Sequence, residues 1–189
     1  MKKALLLATL LATLGAAQAE PATYKIDPNH TAVTFEAKHF GTSTLRGRWD
    51  KKEGSVTLDK AAKTGKVEFT IDMASITTGS PQFDGHLKSK DFFLVEEFPT
   101  AKFVGDKFTF NGDKVASVAG ELTLRGVTKP VTLAIADFRC GTHLVYRRAM
   151  CSAEATATIR RSEFGMTSGL PNVAGDDVRI VIPVEATIE

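Results

Sequence analysis

Asp84, His86 and Asp91, in the stretch FDGHLKSKDFF, set a histidine between two acids. Imidazole exchanges a proton near neutral pH, and with carboxylates it also binds metals, so this group is the candidate for acid–base or metal chemistry on a bound substrate. Two features weigh against it. No second histidine stands at metal-ligand spacing, and Asp84 or Asp91 would equally cap a short helix. The chain has no GxSxG elbow, HExxH, CxxC, phosphate loop or dinucleotide fingerprint. Catalysis is therefore the second reading, and no metal or other cofactor is expected.

A different kind of chemistry is suggested by TAVTFEAKHF, Thr31 to Phe40. Val33, Phe35, Ala37 and His39 share one row, while Thr34, Glu36 and Lys38 take the other, the period-two pattern of a half-buried antiparallel strand. His39 thus points the way the core does. Either it is a satisfied rim histidine, or it aims a polar group into a cavity, where it meets the polar end of a ligand.

The same alternation runs through most of the chain and has to supply the scaffold. Val56 and Leu58 form a short apolar row; Val67, Phe69, Ile71 and Met73 form a longer one. Further rows begin at Phe103, Val118 and Ala153, and the clearest is Val178, Ile180, Ile182, Val184, Ala186 and Ile188. Asn111-Gly112 reads as a hairpin turn, and the row through Leu124 leads to Arg125-Gly126, after which a turn is expected near Pro130. The pattern predicts an all-β fold, an antiparallel barrel of about eight strands. Only residues 74–99 lack the rhythm, and they are expected to form one or two short helices capping one end.

Small residues on an inward row leave space. Ala153, Ala155 and Ala157 stand where Leu or Phe would fill a barrel, which favours a hollow interior over alanines that merely offset large neighbours. With 12 Phe against 2 Tyr and 1 Trp, the interior suits a hydrocarbon chain better than a polar ligand.

The chain opens MKKALLLATLLATLGAAQAE, with a cationic start, an apolar run and Ala17-Gln18-Ala19 as a cleavage site, which reads as a secretory signal peptide over residues 1–19. The run is shorter than the roughly 20 residues a bilayer needs, so no membrane span is expected. Removing Lys2 and Lys3 leaves 24 − 2 = 22 basic against 22 acidic residues, a formally neutral mature chain, and nucleic acid is not an expected partner. Residues 20–189 are expected to form a single domain. In an oxidising compartment Cys140 and Cys151 are expected to pair as a disulfide.

Four blocks, YKIDPNHTAVTFEAKHFGTSTLRGRW, HLKSKDFFLVEEFPTAKF, GELTLRGVTKPVTL and RRSEFGM, occur in this order over nearly all of the mature chain. In them the chain resembles the YceI-like polyisoprenoid-binding family. The resemblance implies a periplasmic, non-catalytic protein with a lipocalin-like barrel that holds a polyisoprenoid or another long-chain amphiphile, as carrier or reservoir. Fatty acids or fatty amides in the same space are an alternative, and a homodimer stays open. The resemblance marks His30, His39, His86, Asp91, Arg161, Phe164 and Met166 as recurring motif positions. Taken with the inward rows, the residues expected to line the ligand space are Val33, Phe35, Ala37, His39, Phe69, Ile71, Phe92, Phe93, Phe103, Ala155, Ala157, Phe164, Met166, Ile180 and Ile182.

Overall fold

The computed structural model describes residues 20–188. The expected signal peptide, residues 1–19, lies outside them. The described chain runs β1 (Ala22–Ile26), β2 (Val33–His39), β3 (Ser43–Trp49), β4 (Lys52–Asp59), β5 (Thr64–Asp72), β6 (Ile76–Thr77), helix α1 (Pro81–Lys88), β7 (Thr100–Asn111), β8 (Lys114–Leu124), β9 (Val127–Thr142), β10 (Ala149–Arg160) and β11 (Ala174–Ile188).

All pairings are antiparallel, in the order β1-β4-β5-β7-β8-β9-β10-β11-β2-β3-β6, and β1 also pairs with β11, which closes the sheet. β2 follows one edge of β11 over Ala174–Val181, and β1 takes the same edge at Ala186–Ile188. β1 and β2 are therefore one interrupted stave, as are β3 with β4 and β5 with β6. Eleven segments less three such joins give 11 − 3 = 8 staves, a closed eight-strand barrel.

The first interruption has a specific chemistry. The Asp27 carboxylate accepts the Asn29 N–H at 2.8 Å and the His30 Nδ1–H at 2.7 Å. Beside this turn, buried Thr31 exchanges hydrogen bonds with the Glu185 backbone. The hydrogen bond to Asp27 raises the His30 pKa, and the same bond lowers that of Asp27. The stabilisation from His30 is therefore present below its ordinary value of 6.5 and is lost as pH rises through the raised value; that from Asp27 is lost as pH falls through the lowered one. Asp27→Asn should bring the His30 imidazole, followed by NMR titration, down toward about 6.5. An unmoved midpoint would remove Asp27 as the cause. His30 is thus a turn residue on the exposed surface.

Three extra residues switch which parity faces inward; one is Ala116 of β8, where Thr109 opposes Ser117 and Phe110 opposes Val115, and the row passes from Val118 to Val115. In β7, Gly105 opposes Gly120 and Lys107 opposes Ala119, so Asp106 bulges, and the inward row passes from Phe103 to Phe108. In β9, Ser152 opposes Arg139 and Glu154 opposes Ala136, so the extra residue lies at 137–138, where Asp137 has φ 52°; the row passes from Val131, Leu133 and Ile135 to Phe138.

The expected turn near Pro130 is absent. The turn is Arg125-Gly126, with φ of 51° and 72°, the two positive values of a tight hairpin. Pro130 lies within β9 opposite Glu121, in a stretch that β10 does not reach. A residue without an N–H is tolerated there because one side of the strand has no partner.

Residues 74–99 do form a cap. A 3-10 turn covers Met73–Ser75, and Pro81 opens α1 at a position whose N–H would have no helical partner. Arg125 fastens this cap, donating from Nη2 to the Lys90 carbonyl at 2.9 Å and from Nη1 to the Gly165 carbonyl at 2.7 Å. Cys140 and Cys151 stand opposite each other on β9 and β10 and form a disulfide. No helix among the described residues is long and apolar enough to cross a membrane.

Candidate functional site: an apolar cavity within the barrel

Small inward residues do leave space. The barrel encloses a cavity of about 300 Å³, at the lower end of the roughly 300–1,000 Å³ typical of ligand sites. Its walls include Val33, Phe35, Ala37 and His39 of β2, Phe69 and Ile71 of β5, Phe103 of β7, Ala155 and Ala157 of β10, and Ile180 and Ile182 of β11. Phe92 and Phe93 of the cap and Met166 line it as well.

Phe164 departs from expectation. It is not a wall residue; it sits in the 3-10 turn Arg161–Phe164 and is buried in the packed core. The turn interrupts the alternation, so the two motif apolar residues differ, Met166 lining the cavity and Phe164 buried in the core.

The wall also contains residues that the inward rows did not supply. Leu45, Gly47 and Trp49 share one row of β3, and Gly47 has a structural cause: a Cβ there would stand 2.5 Å from Phe35 Cε1 and 2.6 Å from Cζ, so glycine lets the Phe35 ring lie across β3. Leu45 and Trp49 face the cavity. From α1 come Phe83, His86 and Leu87, which share a helix face at i, i+3 and i+4. Both sets were readable from spacing.

His86 therefore belongs to the cavity wall. Its ring stacks against Phe83 at 6.2 Å and meets Phe92 edge-on at 4.8 Å. Asp84 is engaged elsewhere: one carboxylate oxygen accepts the Thr78 N–H and the Thr78 hydroxyl, each at 2.7 Å. These bonds, the hydroxyl one foremost, hold the Asp84 carboxyl below its ordinary value. Asp91 is exposed on the cap surface. The three residues do not converge, and no cluster of three metal-ligating side chains occurs among the described residues.

At the other side of the cap lies Arg161, 5% exposed. Its guanidinium donates to four backbone carbonyls, of Met166 at 2.8 Å, Gly175 at 2.9 Å, Ser168 at 2.9 Å and Ala174 at 3.0 Å, and it lies 5.9 Å from the Phe92 ring centroid. Burial lowers its pKa, against the pull of the Asp176 charge; an arginine nevertheless stays protonated at neutral pH.

His39 closes β2 at the rim. Its ring meets Phe40 edge-on at 4.3 Å, and the Phe40 N–H donates to the Val173 carbonyl at 2.8 Å. Val173 lines the cavity and is 43% exposed, and Phe40 is 61% exposed, so the cavity reaches solvent beside His39. Among the described wall residues there is no Asp, Glu, Asn or Gln; the nitrogen-bearing side chains are His39, Trp49, His86 and Arg161. Such a wall stabilises hydrocarbon by burial, and it offers hydrogen-bond donors without any carboxylate.

The profile of the YceI-like domain matches residues 24–186. A UPF0312 protein of Pseudomonas aeruginosa is 38% identical over 96% of this chain and 94% of its own, and the protein YceI of Salmonella arizonae is 38% identical over 98% and 97%. Among solved structures, Burkholderia cenocepacia BcnA superposes with a TM-score of 0.73 at 25% identity, covering 86% of this chain and 99% of its own. A polyisoprenoid binding domain from Saccharophagus degradans has the same fold, with a TM-score of 0.64 at 14% identity, over 90% and 100%.

Proposed function

This chain belongs to the YceI-like family, and from that premise we propose that its barrel holds the chain of a polyisoprenoid or a similar long amphiphile, as a non-catalytic carrier or reservoir. One observation carries the reading: a cavity of about 300 Å³ inside a closed barrel, walled by Phe, Val, Ile, Leu and Ala and free of carboxylates among the described residues. Each methylene moved from water into such a space gains roughly 0.8 kcal/mol, so a partly enclosed chain keeps useful affinity after the costs of association. The structural neighbour from Saccharophagus degradans, described as a polyisoprenoid binding domain, supports the same ligand class.

The wall residues expected from the sequence are the proposed contacts, with Phe164 a support behind them. A holding role, without turnover, is supported by Asp84 being taken up by Thr78 and by His86 facing two phenyl rings. Export to the periplasm through cleavage after Ala19, leaving one barrel domain over residues 20–189, is supported by the leader-like start and agrees with the Cys140–Cys151 disulfide.

The test is purification without detergent, organic extraction and mass spectrometry of the extract. A single class of isoprenoid chain near one per protein is the expected result. A fatty acid or amide would reassign the chain, and a ligand-free protein that takes up no long-chain lipid on incubation would end the proposal.

A further inference from the structure

Trp49 is 5% exposed and faces the cavity, and its indole Nε1 is buried with no hydrogen-bond partner. The ring is held in place by Phe35, at 5.2 Å between centroids, and by Phe93 of the cap, edge-on at 5.6 Å. Its backbone is fixed on both sides, opposite Val33 and Ile76. A sealed donor of this kind costs free energy unless something accepts from it. Water is a poor candidate, because an ordered buried water needs two to four polar partners, and apolar cavities stay dry. His39 differs: it sits at the open rim, where solvent satisfies its ring.

We propose that Trp49 Nε1–H is the hydrogen-bond donor for the polar end of the bound ligand, and that this end is an acceptor oxygen of the carbonyl or phosphoryl type. The inference rests on the lipid-holding reading and adds to it the chemistry and the depth of the headgroup. The polar end lies under the cap, where Phe93 covers Trp49 and the adjoining Phe92 carries His86. The wall has donors and no carboxylate or carboxamide, so it favours an acceptor oxygen over a headgroup that only donates, whose partners there are limited to the hydroxyls of Tyr24 and Ser152 and the unprotonated ring nitrogens of His39 and His86. The hydrocarbon chain runs the other way, toward Leu58 and Val115.

Trp49 is the sole tryptophan of the chain, so the protein labelled with ¹⁵N shows one indole N–H resonance. Three probes with the same chain length separate the possibilities: hexadecane, methyl hexadecanoate and hexadecyl phosphate. The expected result is a downfield shift of the indole proton with the ester, the phosphate or both, and none of comparable size with hexadecane; which probe acts tells carbonyl from phosphoryl. In Trp49→Phe, which keeps an aromatic ring between Phe35 and Phe93, the preference for the effective oxygenated probe over hexadecane should fall about tenfold. If all three bind and the indole proton moves alike with each, the proposal is overturned while the hydrocarbon cavity stands. If none binds, the lipid-holding reading fails and this inference fails with it. Should Trp49→Phe not fold, the spectra of the parent protein decide alone.

Discussion

Arg161→Leu should lower the thermal midpoint by roughly 6–12 °C, the shift that about 3 kcal/mol produces in a domain of this size. The loss has a definite origin. Four carbonyls, of Met166, Ser168, Ala174 and Gly175, take their hydrogen bonds from one buried guanidinium, and leucine returns none of them. Those carbonyls all lie on the segment that leads from the 3-10 turn into β11, so the arginine acts as its internal template. Arg161→Lys separates charge from shape. An ammonium keeps the positive charge and the cation–π contact with Phe92, but it lacks the fork that reaches both sides of the loop. The lysine variant should recover less than half of the loss by calorimetry. If Arg161→Leu unfolds within 2 °C of the parent, the template role is wrong; full recovery by lysine would make charge the cause.

That role was hidden in the sequence, and the reason is physical. Arg160 and Arg161 are adjacent and identical in type, yet Arg160 pairs on the surface with Asp176 at 3.1 Å while Arg161 turns inward. Alternation predicts opposite faces, but it does not say that a cation can occupy the inner one; that depends on carbonyls brought together by a loop folded from residues 166–175. The strands themselves were legible. Val33, Phe35 and Ala37, or Val178, Ile180 and Ile182, face inward as period two requires, because a one-residue slip would bury Glu36 or Arg179. Bulges set the limit of that rule. Asp106 and the extra residue at 137–138 change the parity within β7 and β9, and no apolar pattern marks such a change before pairing is known.

The site was legible where it depended on rows; of the cap, Phe92 and Phe93 were expected, while Phe83, His86 and Leu87 of α1 were not read as one face. His39 and Ala155 were reachable by counting in twos. His86 reads as chemistry because two acids flank it, but on α1 it shares a face with Phe83 and Leu87 at helical spacing, and that face lines the cavity. The block YKIDPNHTAV likewise mixes two roles. Asp27, Asn29, His30 and Thr31 build the break between β1 and β2, and Val33 begins the cavity wall. Recurrent motif positions in this chain are therefore divided between shaping the barrel and lining it.

Ala155→Phe should reduce ligand occupancy at least tenfold while leaving the barrel folded. Ala155 lies on β10 between Ile135 of β9 and Ile182 of β11, and all three face the cavity. An apolar cavity of about 150 Å³ holds a benzene ring, so the added phenyl would occupy on the order of half of the space available to a chain. In a filled core the same change would cost roughly 1–3 kcal/mol through overpacking. Here the ring enters existing space and gains apolar contacts, so the thermal midpoint of ligand-free protein should hold or rise. Thr158→Phe, on the same strand and exposed, is the control for strand propensity and should leave occupancy unchanged. Occupancy is read by mass spectrometry of the organic extract, and stability by calorimetry after delipidation. A sharp drop in the midpoint would mean that the interior at Ala155 is already filled; full occupancy with a raised midpoint would mean that the chain passes elsewhere, and Ala155 and Ala157 would leave the list of contacts.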